Sequence, residues 1–351
     1  MSNTDFDFSQ ILHNIEDALN NALPKCADKQ WTFNSFGNID KNITKEHIQN
    51  LIEPNKSLME LGGKRWRPLL LILCYNMAKE QHKKAALSSE QAYSLTPLVE
   101  FVHTASLIHD DIEDNSDLRR GKPSAYITYG MDKALNAGSW LYFEAPVCIN
   151  NLNIAAEQKL KLYEAYTQEL RRLHLGQAMD IYWHNNPEIF PSDEEYLAMV
   201  KSKTGTLASL AATIGCIAGG MSYEDAAKNG EIAASIGMGF QIIDDVINLT
   251  TGNTGKKRGD DIVERKKSLP ILIHAKKYPQ EKKDITRFMD LASKNGIESL
   301  AVEQCIQLLQ KSDCIKEAAQ KGTELIKKNC RLFNSREIEQ LFLSMIPEVY
   351  K

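Results

Sequence analysis

Apolar residues recur along much of the chain at intervals of three and four positions, the spacing that gives a helix one buried face. One such series begins after Thr96 and Pro97, residues that favour a helix N-cap and a first helical position. Its apolar members are Leu98, Phe101, Val102, Ala105 and Ile108. Further helices are predicted over residues 156–184, 190–200, 231–249, 283–294 and 298–330. Alternating runs typical of strands are scarce, so the pattern predicts an all-α fold.

Loops interrupt this pattern in few places. No Gly/Ser-rich linker and no short repeat divides the chain, so we expect residues 1–351 to form a single domain. Residues 1–44 are expected to be an N-terminal helix and an irregular extension, with an irregular loop over residues 26–42. A second loop, residues 250–261, is expected to be mobile.

The composition indicates a globular protein with a sizeable core, since 43% of the residues are hydrophobic and 25% are charged. A net charge of −4 argues against a nucleic-acid partner, because proteins that bind nucleic acids are usually basic. The seven cysteines form no C-x-x-C pair, so we expect buried free thiols rather than a zinc site or a disulfide framework.

The sequence lacks the usual signals for membrane insertion or export. Its start, MSNTDFDFSQ, has neither the basic residues nor the apolar run of a signal peptide. Residues 204–223 carry no charge, but they are mostly Ala, Gly, Ser and Thr, as in a closely packed internal helix. We therefore expect no transmembrane segment and a cytoplasmic protein.

The helix that begins at Pro97 leads into an acidic motif with carboxylates at Asp110, Asp111 and Asp114. Residues four apart share a helix face, so Asp110 and Asp114 project side by side, with Asp111 about 100° away. This arrangement suits Mg²⁺, which binds few protein carboxylates and completes its shell with water and phosphate oxygens. The alternative is an acidic helix end that only faces solvent.

The neighbours of this motif favour the metal site over the solvated helix end. An uninterrupted apolar run precedes the acids, and Ser106 and His103 lie one and two turns upstream on the same face. Arg119 and Arg120 follow within one loop.

A second acidic motif, Asp244, Asp245 and Asn248, repeats the spacing after another apolar run. We expect the two motifs to form facing metal sites that hold one polyphosphate across a cavity. The loop after the second motif is basic, and is either a solvated surface or a lid over the phosphate. Its basic residues are Lys256, Lys257, Arg258, Lys266 and Lys267.

An upstream basic motif, LGGKRWRP at residues 61–68, contains no carboxylate. Its glycines, Gly62 and Gly63, let the backbone approach a ligand closely. Lys64 and Arg67 supply cations for phosphate oxygens. The motif therefore predicts a second anionic ligand, bound without metal.

From about residue 45 onward the chain resembles the trans-isoprenyl diphosphate synthases, the polyprenyl synthetase family. The resemblance rests on motifs in the family's order. They are GGKRWRP, EFVHTASLIHDDIEDNSDLRRGKPS, GQAMD, KTGTL, FQIIDDVIN and GKKRGDDIVERKKSLP.

The resemblance implies the all-α isoprenoid synthase fold, a single barrel-like bundle of long helices around a central cavity, and a homodimer. It also implies a reaction: an allylic diphosphate ionises, condenses with isopentenyl diphosphate and loses a proton, giving an all-trans polyprenyl diphosphate. The implied cofactor is Mg²⁺, as three ions, for which Mn²⁺ can substitute.

Roles for individual residues follow from the same resemblance. The implied catalytic set is Asp110, Asp111, Asp114, Lys203, Asp244 and Lys266. The implied metal ligands are Asp110, Asp114 and Asp244, supported by Asp111, Asp245 and Asn248. The implied contacts of the allylic diphosphate are Arg119, Lys203, Lys256 and Lys266. Those of isopentenyl diphosphate are Gly63, Lys64, Arg67, His103 and Arg120. Thr204 and Gln241 match polar positions near the reacting carbons.

Three positions depart from the family's pattern. Asn248 and Ser139 each replace a usual Asp, and Arg265 replaces a usual Gly. The Asn248 carbonyl can still order a metal-bound water, so we expect activity to be lowered at most.

Product length in the family depends on residues one turn before the first acidic motif. Here these are Ala105 and Ser106, both small, which implies a product of C20 (geranylgeranyl) or longer. The aromatic residues Trp140, Tyr142 and Phe143 follow on the next predicted helix, either as a deeper floor or as ordinary core.

Two alternatives to a prenyl synthase stay open at this point. A class I terpene cyclase shares the fold and an acidic motif, but has no use for GGKRWRP, His103 and Arg120. A weakly active partner subunit of a heteromeric synthase would account for Asn248 and Ser139.

Overall fold

The structure, a computed structural model, describes residues 6–82, 85–252 and 257–351. Its regular structure is almost entirely α-helix, with one short hairpin among the described residues, so the predicted all-α fold is confirmed. The first helices are α1 (Ser9–Ala22), α2 (Lys29–Phe36), α3 (Lys45–Glu60), α4 (Trp66–His82), α5 (Ser89–Ser94) and α6 (Pro97–Glu113). The hairpin β1 (Leu118–Arg119) and β2 (Lys122–Pro123) follows, then α7 (Ala125–Tyr129), α8 (Met131–Glu144), α9 (Val147–Asn150) and α10 (Ala156–Asn185).

The remaining elements begin with α11 (Asp193–Val200), which continues through a π-helical turn (Lys201–Gly205) into α12 (Thr206–Ala218). After them come α13 (Tyr223–Thr250), α14 (Asp260–Val263), α15 (Leu269–Lys277), α16 (Lys282–Asn295), α17 (Leu300–Gln310), α18 (Cys314–Cys330) and α19 (Arg336–Met345). Short 3₁₀ turns lie at Pro279–Glu281, Arg331–Phe333 and Glu348–Tyr350.

The helices form two compact units. The first runs to Glu169 and adds Ser209–Gly230 and Ser335–Leu341. The second comprises Leu170–Ala208, Glu231–Asn334 and Phe342–Lys351.

In the first unit, α8 packs along α6. Gly138 lies where the two helices approach each other, and a Cβ at this position would come within 3.2 Å of the Ile108 side chain. Leu58 and Ala134 belong to the same buried cluster as Ile108, and this cluster supports the helix that carries the first acidic motif.

In the second unit, glycines bring the π-helical turn into close contact with its neighbours. A Cβ on Gly176 of α10 would lie 2.3 Å from the backbone nitrogen of Lys203. A Cβ on Gly205 would lie 2.8 Å from the carbonyl oxygen of Ala234 on α13. Larger side chains at either glycine would push the turn away, so both glycines are needed for this packing.

Several predicted boundaries agree with the structure, and one segment differs. The helix predicted from Pro97 begins at that residue, and the one predicted over 156–184 is α10. The segment 26–42, expected to be irregular, contains α2. The Asp28 carboxylate accepts a hydrogen bond from the Trp31 N–H at 2.7 Å, an N-cap that the sequence reading overlooked.

One finding within the described residues bears on the prediction that the chain has no transmembrane segment. The uncharged stretch 204–223 contains α12, whose side chains are almost all buried. Among the described helices, only α13 is long and apolar enough, by length and composition, to span a bilayer. Of its most apolar window, 61% is buried inside the protein, as is usual for a core helix.

Candidate active site

The first acidic motif lies at the C-terminal end of α6. The helix ends at Glu113, yet the Asp114 N–H still bonds the Asp110 carbonyl at 2.8 Å. The two partly buried residues therefore keep the i, i+4 relation expected from the sequence. Carboxylates here face the negative end of the helix dipole, which disfavours them unless cations are bound nearby.

Asp111, between these two acids, is buried with 1% of its surface exposed. Its Oδ1 accepts a hydrogen bond from the Nε of Arg119 at 2.8 Å and a second one from Nη2 of the same guanidinium. The β1–β2 hairpin turns the chain back and sets this ion pair, with Arg119 paired to Lys122 across the strands. Arg119, expected at the allylic diphosphate, thus also neutralises a buried acid.

The basic motif forms a turn between α3 and α4. Gly62 and Gly63 have φ angles of +82° and +154°, and Arg65 has a φ of +46°. Arg65 is buried, and its guanidinium bonds Glu100 and Glu16 at 2.7 Å each and the Met59 carbonyl at 2.8 Å. These contacts hold the strained turn in place.

The remaining side chains of this turn form a cationic surface in the first unit. Lys64 is exposed, and the Arg67 Nη1 lies 3.4 Å from the Nε2 of His103. Arg120 donates to the Gly62 carbonyl, and its Nη2 would lie 3.3 Å from a Cβ on Gly63. The structure thus brings together four of the residues expected at isopentenyl diphosphate, with Lys64 beside them.

The surroundings of His103 favour the neutral form of its imidazole by lowering its pKa. Burial lowers the pKa of His103 well below its usual value, and the neighbouring Arg67 and Arg120 lower it further. A neutral imidazole among guanidiniums can donate a hydrogen bond to an anion without adding a further charge that must be balanced.

The two positions expected to govern product length differ in exposure. Ala105 is fully buried, whereas Ser106 is partly exposed and its hydroxyl donates to the His103 carbonyl at 2.8 Å. A hydroxyl that bonds its own helix adds little bulk to its surroundings.

The aromatic residues of α8 point in different directions. Trp140 stacks on Phe36 of α2 with the ring centroids 6.1 Å apart, as ordinary core aromatics do. Tyr142 faces His109 at 5.4 Å, and Phe143 is 78% exposed. Tyr142 is therefore the one of the three that packs beside the acidic end of α6.

Ser139, where the family usually has Asp, lies near the first acidic motif. Its hydroxyl is 3.3 Å from the Nε2 of His109, the residue directly before Asp110. A serine at this position keeps a hydrogen-bonding partner for the imidazole but does not supply a charge.

In the second unit, Asp244 is exposed and Asp245 is buried. Asp245 Oδ2 accepts hydrogen bonds from the Tyr196 hydroxyl at 2.5 Å and the Leu269 N–H at 3.1 Å, and Oδ1 accepts from Gln241 at 3.1 Å. Burial and the nearby carboxylate of Asp261 raise the pKa of Asp245 to about 7, against the lowering effect of these hydrogen bonds.

Asn248 is buried one turn further along α13. Its side-chain carbonyl accepts a hydrogen bond from the Asp261 N–H at 3.2 Å, and its backbone carbonyl accepts from Gly259 at 2.9 Å. The residue therefore fixes the start of α14 to α13.

Lys203 lies in the π-helical turn, a distortion that is frequent at functional sites. Its ammonium is 2.7 Å from the Asp180 carboxylate. Burial raises the pKa of Asp180, but Lys203 and Lys266 together lower it below the usual value. Asp180 belongs to GQAMD, a motif that the sequence reading quoted without assigning a role to its acid.

Thr204 and Gln241 meet in the same region. The Thr204 hydroxyl donates to the Gln241 Oε1 at 2.9 Å, and Gln241 in turn donates to Asp245. A continuous chain of hydrogen bonds therefore runs from the π-helical turn to the second acidic motif.

Three described basic residues of the loop pair with acids of their own unit, whereas the Lys267 ammonium donates to the Pro187 carbonyl at 2.7 Å. Lys257 pairs with Glu298, and Arg258 pairs with Glu303, each at 2.6 Å. Lys266 pairs with Glu264 at 2.6 Å. Lys256 lies outside the described residues.

The departure at Arg265 has a conformational aspect. Its φ is +56°, a region that favours glycine, and its guanidinium pairs with Asp290 at 3.0 Å. This backbone conformation explains why glycine suits the position.

The donor set is compatible with Mg²⁺ but does not form a cage. Among the described residues, no three His, Cys, Asp or Glu side chains are close enough to hold a metal ion by themselves. Mg²⁺ commonly uses one or two carboxylates together with waters and substrate phosphates. The Asp110–Asp114 pair and the exposed Asp244 fit this mode.

Comparisons with known proteins agree with these motifs. A sequence profile for the family described as "Polyprenyl synthetase" matches residues 48–309. The chain is 35% identical to the short chain isoprenyl diphosphate synthase of Methanocaldococcus jannaschii, covering 75% of this chain and 77% of that one. It is 34% identical to the geranylgeranyl diphosphate synthase of Methanosarcina mazei, covering 68% and 71%.

Solved structures agree as well. The crystal structure of geranylgeranyl pyrophosphate synthetase from Pyrococcus horikoshii Ot3 superposes with a TM-score of 0.77 at 26% identity, covering 96% of this chain and 95% of that one. The fold is therefore the all-α isoprenoid synthase fold.

Proposed function

Because the chain belongs to the polyprenyl synthetase family and is a prenyltransferase, we propose that it joins an allylic diphosphate to isopentenyl diphosphate. The product is an all-trans polyprenyl diphosphate of C20 or longer. The observation that carries the proposal is the pair of guanidiniums of Arg67 and Arg120 beside the His103 imidazole, an anion site built without carboxylate ligands.

Two diphosphate sites with different chemistry follow from this proposal. Asp110, Asp114 and Asp244 would hold Mg²⁺, which when bound would supply positive charge against the allylic diphosphate. Asp111, Asp245 and Asn248 support these ligands by fixing their helices. Isopentenyl diphosphate binds to Gly63, Lys64, Arg67, His103 and Arg120.

Cationic side chains assist the departure of the allylic diphosphate. Arg119, Lys203, Lys256 and Lys266 contact its oxygens, so that their charge is in position before the carbon–oxygen bond breaks. Asp180 holds the Lys203 ammonium, and Glu264 holds that of Lys266, so neither side chain has to be ordered during the reaction.

The bond changes involve no side-chain nucleophile. The allylic carbon–oxygen bond breaks, the double bond of isopentenyl diphosphate forms a new carbon–carbon bond, and a neighbouring carbon loses a proton. The departed diphosphate accepts that proton. Thr204 and Gln241 line the position next to the reacting carbons, and their mutual hydrogen bond keeps them in place.

The small residues Ala105 and Ser106 support a C20 or longer product. Exchange of Ser106 for Phe is expected to shorten the main product, because the ring would occupy space next to the first acidic motif. Chromatography of extracted products measures the change. Ser106→Ala is the matched control, and an unchanged product with Phe would contradict the assignment.

Assembly and location belong to the same proposal. We propose a single-domain protein that forms a homodimer in the cytoplasm, uses Mg²⁺ or Mn²⁺, and takes no nucleic-acid partner. The family relationship supports the enzyme class. Sedimentation would test the homodimer, and cell fractionation would test the cytoplasmic location.

The test of the reaction is incubation of the purified chain with Mg²⁺, labelled isopentenyl diphosphate and an allylic primer. Label is expected in a longer prenyl diphosphate, and chelation by EDTA is expected to abolish the transfer. A terpene cyclase would convert the primer without incorporating label. A subunit that needs a partner would be inactive alone. The named relatives are synthases, which favours the first outcome.

A further inference from the structure

A cavity lies in the first unit, and neither acidic motif contributes to its lining. It has a volume of about 850 Å³ and lies between α1, α2, α5, the start of α6 and the end of α8. Pockets of a few hundred to about 1,000 Å³ hold typical small molecules. Among the described residues, none of those assigned above to a diphosphate or a metal lines this cavity.

The charge of the cavity is opposite to that of the substrate sites. Three carboxylates line it, from Asp17, Glu90 and Glu144, and the lining contains no Lys, Arg or His. A diphosphate would therefore be repelled. Many of the other lining side chains are Asn or Ser, which a hydrocarbon tail would leave without hydrogen bonds.

Glu144 is the unusual member of this lining, since it is only 5% exposed. Its Oε1 accepts a hydrogen bond from the Ser35 hydroxyl at 2.7 Å, and its Oε2 has no hydrogen-bond partner among the described residues. It is also the last residue of α8, where the helix dipole disfavours an anion. A carboxyl in this place is costly for a purely structural purpose, and a bound cation would offset that cost.

Aromatic rings complete the cavity. Trp31, Tyr93 and Phe101 contribute to the lining, and Trp31 is fixed by a hydrogen bond from its Nε1 to the Ala22 carbonyl at 2.8 Å. Flat apolar molecules pack well on such rings, and cations are attracted to the ring faces.

We propose that this cavity binds an organic cation, a primary ammonium on a flat apolar body, with the ammonium on Glu144 and the body on the aromatic rings. The site is separate from prenyl transfer, so its test is a binding measurement that does not depend on the proposed reaction.

The experiment is isothermal titration calorimetry on the full chain with tryptamine as the probe. Indole-3-propionate, which carries the same ring and a carboxylate, is the matched control ligand. Tryptamine is expected to bind with a Kd at or below about 1 mM, and the anion is expected to give no saturable heat. Equal binding of both ligands, or of neither, overturns the proposal.

Variants locate the bound cation. Glu144→Gln is expected to weaken the binding of tryptamine at least about tenfold, because a charge-assisted hydrogen bond is lost while the hydrogen bond from Ser35 can remain. Glu157→Gln changes an exposed acid of α10 and is expected to leave the Kd unchanged. Ala18→Trp fills the cavity from α1 and is expected to abolish binding without touching the carboxyl. An unchanged Kd in Glu144→Gln, or binding that survives in Ala18→Trp, overturns the proposal.

The pH profile is an independent readout that needs no variant. Burial raises the pKa of Glu144 to about 7, while the Ser35 hydrogen bond lowers it. Tryptamine stays cationic across this range, so its affinity is expected to rise about tenfold from pH 6 to pH 8 as the carboxyl ionises. Asp17, Glu90 and the thiol of Cys148 also face the cavity, and their contribution is read from Glu144→Gln, whose profile should be flat. A flat profile in the unaltered chain contradicts the assignment.

Discussion

The two acidic motifs share a spacing but bury their middle carboxylate by different means. Asp111 is neutralised by the guanidinium of Arg119, which comes from a hairpin beyond the helix. Asp245 has three neutral donors, a hydroxyl, a backbone N–H and an amide, and its pKa rises to about 7. Equal spacing therefore does not imply equal electrostatics, because the compensation comes from residues outside the motif.

The motifs also differ in their place on the helix. α6 ends at Glu113, so the first motif occupies the helix terminus, whereas α13 continues to Thr250 past the second. Carboxylates at the terminus of α6 depend more on external cations than those inside α13.

The largest effect is expected from the acids that face ligands. Asp110→Asn and Asp244→Asn should each lower kcat/KM about 10²- to 10³-fold, because each removes charge that stabilises the departing diphosphate. Glu113→Gln, which changes an exposed acid beside the first motif, is the control and should have nearly normal activity. Steady-state kinetics with unchanged thermal midpoints would verify this. Full activity of Asp244→Asn would remove the second motif from the site.

Substitution of the two middle acids, Asp111 and Asp245, should change the free energy of unfolding by different amounts. Asp111→Asn is expected to lower the free energy of unfolding by about 3 kcal/mol, since it removes the carboxylate charge that pairs with the partly buried guanidinium of Arg119. Asp245→Asn should change it by less than about 1 kcal/mol. Rotation of the Gln241 amide would let it accept from the new Asn and donate to Thr204. Urea unfolding measures both, and equal losses would contradict the distinction drawn here.

Asn248→Asp restores the usual family residue and tests the neutral character of the second motif. A third carboxylate near Asp245 and Asp261 should cost about 1 to 2 kcal/mol of unfolding free energy in EDTA. Mg²⁺ should restore part of this loss. Unfolding in EDTA and in Mg²⁺ gives the comparison, with Asn229→Asp on α13 as a control away from the motif. If the free energy of unfolding of the variant is the same in EDTA and in Mg²⁺, a metal at this position is contradicted.

The smallest effect concerns the loop beyond the second motif. Arg265→Gly should stabilise the chain by up to about 1 kcal/mol, because relief of the positive φ outweighs the loss of a partly exposed ion pair with Asp290. Arg265→Lys keeps the strained backbone and should show no gain. Thermal unfolding distinguishes the two, and a loss of stability in the glycine variant would mean that the ion pair dominates.

The sequence was informative wherever a local rule decided the structure. Pro97 marks the start of α6, and the i, i+4 spacing of Asp110 and Asp114 survives because one hydrogen bond continues past the helix end. The all-α class follows from periodicity over long segments.

Features that depend on residues distant in the sequence could not be predicted from local patterns. Two-residue strands have no alternation to detect, so the hairpin that carries Arg119 to Asp111 left no signal. The side-chain carbonyl of Asn248 accepts from a backbone N–H thirteen positions away in the sequence, that of Asp261. Sequence periodicity also cannot reveal that Glu298 and Glu303 hold two cations of that loop.

The π-helical turn at Lys201–Gly205 affects how the structure responds to the deletion of a codon. α11 and α12 are one helix interrupted by that turn, which holds more residues than a regular turn would. An in-frame loss of a single codon there would convert the turn into regular helix, and α12 would keep nearly the same facing because the turn holds one residue more than a regular turn. The loss of a codon within α12 would instead rotate every later residue of that helix by about 100°, so we expect the gene to tolerate deletion unevenly along its length.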